Sequence, residues 1–554
     1  IIILSIASNA AFAQWPSDSD SNMVLCDRSG EQALPKIATT SDGGCYVSWY
    51  DNASGNYDVY MQRLNSNGEI QWAANGLLIS NNPQETWLTD YDMTVDQSDH
   101  AIVVFNDIRA GGDWDIYAYR ISPAGNFVWG ANGLTISDNT GFEPDPVVTI
   151  TSSGNIVFAW QEETVVHLRK VNPAGIDMWS PNTITLTSPI GLSRPQVASA
   201  ENDGVVLSLM VASGTNWWDP QYLYAHKFDS LGTALWDTNG VAITTAGGIA
   251  GYMNHNIITD GAGGGYSFWY DTRAIDHHVY VQHVLSDGTM AWTANGVSAS
   301  LAAGELQMNP SLVRIPSSGD ILVFYLATDL NQNLNGVHGQ KLDSTGARQW
   351  GSNGMALVPL SNQTRSHISA QPQSDGAVVV YKEFAVSDVI NSYVKAIRVD
   401  MTGNPVWTAS PVDMCSLLSE KGRCPTTVNS AGMVIAAWDD GRNDSSGDMY
   451  LQNINADGTI GPFGPAGCDY VVGDVNGSDS YNGLDITYGV AFFKGGPDPS
   501  CSLGSCPISP CDAFFYCGDV NASCSYNGLD ITYGVAYFKG GADPVPCADC
   551  PPVE

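Results

Sequence analysis

Asp58-Val-Tyr-Met-Gln-Arg-Leu64, Asn65-Ser-Asn-Gly68 and Glu69-Ile-Gln-Trp72 set out a unit that the chain repeats. An alternating segment runs into an Asx, a glycine stands three residues on, and a tryptophan follows four after that. The tryptophans recur as Trp72, Trp129, Trp179, Trp236, Trp292, Trp350 and Trp407, with gaps of 57, 50, 57, 56, 58 and 57 residues. Their glycines are Gly68, Gly125, Gly175, Gly232, Gly288, Gly346 and Gly403, and most are preceded at three residues by Asn, Asp or Ser. An Asx or Ser side chain bonding nearby backbone, followed by a glycine that accepts positive φ, predicts a hairpin of the type I plus bulge kind.

Upstream of each turn lie further alternating segments, such as Cys45-Tyr-Val-Ser-Trp49 and Ala101-Ile-Val-Val-Phe105. One period therefore reads as four short antiparallel strands, the content of one β-propeller blade. A string of β-sandwiches needs roughly 100 residues per module and does not fit the period. Seven units carry the tryptophan. An eighth, Cys424 to about Phe463, has the strands but loses the signature after Asn455-Ala-Asp-Gly458. At the other end Asn22-Met-Val-Leu-Cys26 matches the segments that follow the tryptophans, such as Asn75-Gly-Leu-Leu-Ile79. The expectation is a mainly β fold: an eight-bladed propeller over residues 14–466, closed by its N-terminal segment, which removes the sheet edges. A small helical, disulfide-rich domain follows over 467–554.

Composition agrees. The 554 residues are 44% hydrophobic and 10% aromatic, enough for a packed core, and only 14% charged. With 57 Asp+Glu against 22 Lys+Arg the net charge is −35, which repels nucleic acid and anionic lipid and suits cations. Residues 1–13 are apolar and end in Ala11-Phe12-Ala13 before Gln14, the form of a truncated signal peptide and a bacterial type of export. The run is too short to span a bilayer, so no integral membrane protein is expected. Eight of the 12 cysteines fall at or after Cys468, and in an exported chain they read as disulfides before they read as zinc ligands. Cys415 and Cys424 flank one crossing and suggest a short-loop disulfide.

The propeller carries acidic loops between second and third strands: Asp51 to Asp58, Asp107-Ile-Arg109 to Asp115, Asp271-Thr-Arg273 to Asp276, and Asp439-Asp-Gly-Arg442 to Asp448. They read either as a cation- or sugar-binding rim or as Asp–Arg pairs that stiffen a repeated turn. Their repetition favours the second. Trp87, Trp114, Trp217 and Trp218 lie in loops of the same face and offer stacking surfaces for sugar rings, with Asp271 and His277 beside them as a candidate ligand face. His255, His277 and His278 with Asp271 and Asp276 read either as a metal set or as a plain polar loop, and the polar loop is favoured. The sequence contains no GxSxG, HExxH or P-loop motif, and no catalytic residue is assigned.

Residues 473–499 recur as 518–544 with four differences in 27 positions. In the first copy Asp474, Asn476, Ser478, Ser480, Asn482 and Asp485 occupy loop positions 1, 3, 5, 7, 9 and 12. The second copy places Asp519, Asn521, Ser523, Ser525, Asn527 and Asp530 there. That spacing wraps Ca²⁺, with position 7 giving a backbone carbonyl and position 12 opening a helix.

The duplicated loop-plus-helix resembles a dockerin, the module that docks enzymes onto the cohesin domains of scaffoldins. The resemblance implies two Ca²⁺ ions on the twelve residues just named, Ser480 and Ser525 through backbone oxygen, and a cohesin-like or cell-surface partner. It departs from the pattern at position 5, which is Ser, at position 6, which is Asp479 or Cys524, and at positions 10 and 11, which are Gly-Leu in both copies. Fewer loop carboxylates imply weak binding suited to extracellular calcium. The function expected is a secreted or cell-surface, non-catalytic binding or adhesion protein, with a glycan as the propeller's ligand. The alternatives are an extracellular carbohydrate-active enzyme, a hydrolase or lyase, delivered by the tail, and a structural subunit of an extracellular assembly.

Overall fold

The computed structural model describes residues 14–84, 90–216, 218–274, 276–443, 446–462, 470–478, 480–501, 514–547 and 550. The chain divides into two compact units, Ile1–Pro462 and Phe463–Glu554.

The first unit is a ring of eight four-stranded antiparallel sheets. In the first blade Gln32–Thr39 pairs with Cys45–Asp51, which pairs with Asp58–Leu64 and then Leu77–Ser80. The first strand of each blade lies innermost. The eighth blade draws its outer strand from the far end of the chain: Met23–Cys26 pairs with Asp448–Ile454, beside Val434–Asp440 and Thr426–Val428. Second strands are buried from end to end, as in Cys45–Asp51 and Ala101–Asp107, because both their faces pack between neighbouring blades.

The repeated turn explains the repeated tryptophan. Gly68 takes φ +83° and its N–H donates to Asn65 O, while Asn65 Oδ1 accepts from the Asn67 and Glu69 amides. A side chain there would be strained by φ and blocked by an indole from the preceding blade. Each indole reaches over to the next turn and donates to its backbone: Trp72 Nε1 to Pro123 O at 3.0 Å, Trp236 to Ser286 O at 3.1 Å, Trp407 to Ala456 O at 3.0 Å. The sequence left the eighth unit without a tryptophan. The structure supplies it from the N-terminal segment: Trp15, 1% exposed, donates from Nε1 to Ser66 O at 2.8 Å and covers Gly68.

In the second unit α1 (Gly483–Phe492) and α2 (Gly528–Tyr537) each begin with a capping box, made by Asn482 with Asp485 and by Asn527 with Asp530. The halves interlock. Tyr481 stacks on Tyr537 at 5.8 Å and Tyr526 on Phe492 at 5.8 Å, each over a helical glycine, Gly534 and Gly489, where a Cβ would meet the tyrosine hydroxyl. Disulfides join Cys501 to Cys517 and Cys524 to Cys547, and Cys550 is also disulfide-bonded. Cys547 and Cys550 are therefore not half of a zinc site.

One expected bond is corrected. Cys415 and Cys424 are buried free thiols, as are Cys26 and Cys45. Cys415 lies in the strand Val412–Glu420 with its sulfur 3.2 Å from Arg442 Nη2, and burial pushes the Cys424 thiol up to about 12. The residues read as a signal peptide, 1–13, lie outside the described residues. No helix among the described residues is long and apolar enough to cross a membrane.

Candidate functional sites

Three regions gather chemistry: the propeller face that carries the blade-to-blade crossings, the channel along the ring axis, and the two tail loops.

On the crossing face the acidic loops resolve into clasps. Asp107 and Asp440 end second strands, Asp271 stands three residues before the end of Gly265–Ala274, and all three are 0–1% exposed. Each accepts from the arginine two residues on, with closest contacts of 2.5 Å, 2.5 Å and 2.6 Å to Arg109, Arg273 and Arg442. Those guanidinium groups lie 3.6 Å, 3.8 Å and 4.0 Å from the ring centres of Tyr117, Tyr280 and Tyr450. Trp269 Nε1 adds a 2.8 Å bond to Asp271, and Trp438 Nε1 a 2.9 Å bond to Asp440. Asp51 is held more loosely by Arg28, at 3.8 Å. A buried carboxylate saturated by guanidinium, indole and backbone donors stiffens the loop and has nothing left for a ligand. Asp271 is thus placed in a clasp and not on an open surface.

His277 lies 6.0 Å from Tyr270 by ring centres, and His255 is buried with neither ring nitrogen bonded, its pKa lowered to about 4 by burial. The histidines do not converge with Asp271 on one point. Trp114 packs against Phe142 at 4.9 Å, and Phe142 is 48% exposed, so the pair forms an aromatic platform on the crossing face. Trp218 and Tyr252, 65% and 68% exposed, offer further flat surfaces there. Trp87 and Trp217 lie outside the described residues.

At the crossing-side mouth of the channel sits an ionic cluster that the sequence reading missed. Asp90 accepts from Lys36 at 2.8 Å and from Arg423 at 2.5 Å, a bond that joins the eighth blade to the second across the first. Burial pulls against these cations, but Asp90 is lowered to about 2. Asp145 accepts from the Asp90 amide at 2.9 Å and Asp92 from the Val148 amide at 2.9 Å; burial raises both carboxyls. The fold alone reveals the cluster, because Lys36 and Asp92 lie on inner strands while Asp90, Asp145 and Arg423 lie just before inner strands of blades separated in sequence. The opposite mouth opens into a cavity of about 590 Å³ lined by hydroxyls, among them Thr39, Ser41, Thr151 and Ser199, with Asp99.

The tail loops are built around carboxylates. Asp474 Oδ1 accepts from the Gly477 and Ser478 amides at 2.9 Å and 3.0 Å, while Asp485 accepts from the Asn482 amide at 2.8 Å. In the second copy Asp519 accepts from the Ser523 and Cys524 amides, and Asp530 from the Asn527 amide at 2.8 Å. All four are buried, 5% exposed or less. Position 12 faces position 1 in both loops, carboxyl against carboxyl; burial and the neighbouring Asp519 push Asp530 up to about 6. Ser478, Ser480 and Asn482 line the first loop, where Ser478 Oγ and Asn482 Nδ2 donate to Ser480 O at 3.2 Å; in the second, Ser523 Oγ donates to Ser525 O at 3.2 Å. The amide oxygens of Asn482 and Asn527 accept from the Leu484 and Leu529 amides as helix caps. Asn476 and Asn521 give their amides to Asp485 and Asp519. Two buried carboxylates with hydroxyl and carbonyl oxygens around them fit a hard divalent cation. Cys524 and Cys547, which approach Asp519, are joined to each other and are not thiolate ligands.

No protein-family model matches the chain, and no curated protein sequence does. Among solved structures, a polysaccharide lyase of family 25, an ulvan lyase bound to a glucuronate–sulfated rhamnose ligand, is similar with a TM-score of 0.43 at 10% identity, over 81% of this chain and 97% of that one. The propeller of Dos1 is similar at 0.42 and 12% identity, over 79% and 95%. An α-L-arabinanase from Penicillium chrysogenum is similar at 0.32 and 10%, over 56% and 92%. Likeness at this level says nothing of activity.

Proposed function

We propose that this chain is an exported protein that engages extracellular glycan through the crossing face of its propeller and is attached or assembled through a tail folded on two calcium ions. The tail carries the reading. In each loop a buried carboxylate at the helix start faces a second one at the loop start, an arrangement that is costly unless a cation lies between them. Asp474, Asn476, Ser478, Ser480, Asn482 and Asp485 would hold one ion, and Asp519, Asn521, Ser523, Ser525, Asn527 and Asp530 the other. The aromatic pair Trp114–Phe142 and the exposed Trp218 supply the stacking surfaces a glycan requires. The test is capture of secreted and surface proteins from the source organism by the full chain, with calcium and with EDTA. Capture only with calcium makes the tail a docking module; calcium binding without capture leaves it a built-in cap.

A second reading, an enzyme acting on extracellular polysaccharide, is favoured by the channel mouth. Asp92 and Asp145, both raised by burial, stand there beside Asp90, which Lys36 and Arg423 lower, so carboxyls of unlike proton affinity share one site, as acid–base cleavage requires. Release of reducing ends or unsaturated products from a polysaccharide panel, lost in Asp145→Asn, tests it. A panel on which the wild type is inert while still binding removes it.

A further inference from the structure

The two tail loops are near-copies, and they differ inside the wrap. Gly477 and Asp479 of the first loop stand as Ala522 and Cys524 in the second. Gly477 takes φ +73°, which a glycine accepts freely, whereas Ala522 and Cys524 take φ +59° and +54°, where a Cβ is strained. The second loop thus keeps a wrap that its own backbone resists, and the end of the chain holds it there. Ala522 N–H donates to Val545 O at 2.9 Å, Val545 N–H donates to Val520 O at 3.0 Å, and Cys524 is disulfide-bonded to Cys547. That bond encloses α2 together with the second half of its loop. Both sulfurs and a carboxylate oxygen of Asp519 lie within 4.8 Å of one another, and Asp519 accepts from the Cys524 amide at 2.8 Å. The staple therefore bears directly on the carboxylate at loop position 1. In the first copy Ser500 N–H donates to Val475 O at 3.0 Å, but Ser502 takes the sequence position of Cys547, and residues 474–485 contain no cysteine.

We propose that the Cys524–Cys547 disulfide pre-forms the second calcium loop, so that this site binds its ion more tightly than the first and loses that advantage without the bond. This ranking rests on the calcium reading of the tail. A loop already wrapped gives up less conformational freedom on binding, and the difference appears as affinity. The cross-link also removes open conformations of residues 524–547 that compete with the wrap. The first loop has the freedom of Gly477 and no covalent tie, so its ion must draw it closed. Asp479 adds charge to the first loop and works the other way. Its contribution shrinks in salt, and that of the disulfide does not.

Single-site variants of the full chain separate the two ions. Asp485→Ala leaves the second site and Asp530→Ala the first, and a calcium titration at high salt reads the midpoint of the ion that remains. Asp485→Ala is expected to fill at calcium at least about tenfold lower than Asp530→Ala. Cys524→Gly with Cys547→Ala, added to Asp485→Ala, is expected to remove that advantage; added to Asp530→Ala, the same pair is expected to leave the midpoint in place. Ala522→Gly on top of the disulfide-free second site relaxes the backbone and is expected to recover part of the loss. Hydrogen exchange of 519–527 in EDTA reads the pre-formed loop with no ion at all: slow in the wild type, and fast without the disulfide. Equal midpoints in the two single-site variants, or exchange of 519–527 in EDTA that ignores the disulfide, overturns the ranking and leaves the calcium reading standing. No ion bound by either variant overturns that reading and the ranking with it.

Discussion

Trp15 and Ser66 close the propeller: the indole Nε1 donates to the Ser66 carbonyl at 2.8 Å, while the ring covers Gly68 of the first blade. The indole clasps a turn 51 residues further on, the same reach as that of Trp72 to Pro123, so the N-terminal segment supplies the eighth blade's tryptophan in the ordinary direction of the chain. The hydrogen bonds of Asn22 Nδ2 to Met414 O and of Gln452 Nε2 to Pro16 O seat the same segment on the last two blades.

Trp15→Ala is expected to cost about 3–5 kcal/mol, the range for emptying a large buried aromatic site, as much as removal of an internal clasp such as Trp407. Urea unfolding of the two variants measures it. A loss below about 1 kcal/mol for Trp15 would mean that the ring is held by strand pairing alone.

Strand number, repeat length and the closing segment were legible because turn chemistry and indole spacing are local signals. Trp15 was not, since no turn glycine stands four residues before it, although like the other indoles it covers a glycine of the next blade, Gly68. The clasps were legible as alternatives: Asp271-Thr-Arg273 suits an open rim or a closed pair, repetition favours the pair, and the burial of Asp271 decides it.

Asp271→Ala is expected to destabilise the propeller by about 3–5 kcal/mol, the range for breaking a buried ion pair, because half-buried Arg273 loses its partner and Trp269 Nε1 is left unsatisfied. Glycan retention by the fraction still folded is expected to be unchanged. Thermal unfolding and affinity electrophoresis separate the two effects, and a loss of retention at full stability would return Asp271 to the ligand face.

Glu143, fully buried, is pushed up from 4.5 to about 7 by burial, despite bonds from Ser137 and Trp160, and by the nearby Glu162. A raised carboxyl favours the protonated form in the fold. Its contribution is therefore intact below about pH 4.5 and lost as pH rises to about 7, on the order of 3 kcal/mol in all. Glu143→Gln keeps the shape and removes the titration. Its stability relative to wild type is expected to rise between pH 4.5 and pH 7.5, and parallel pH–stability curves would show that Glu143 is ionised in the fold.

Trp114→Ala is expected to weaken retention on polysaccharide by about tenfold, equivalent to about 1.4 kcal/mol of stacking, with little change in stability because the ring is half-exposed. Affinity electrophoresis across a panel of acidic and neutral polysaccharides checks it. Equal retention of variant and wild type on every polysaccharide that binds would move the ligand away from this platform.

The most direct measurement is calcium uptake by the full chain, compared between wild type and Asp485→Ala with Asp530→Ala by native mass spectrometry. The account predicts that the variant carries two ions fewer, with hydrogen exchange in α1 and α2 slowed by calcium in the wild type alone. Equal ion counts in the two proteins, or helices whose exchange ignores calcium, would contradict it.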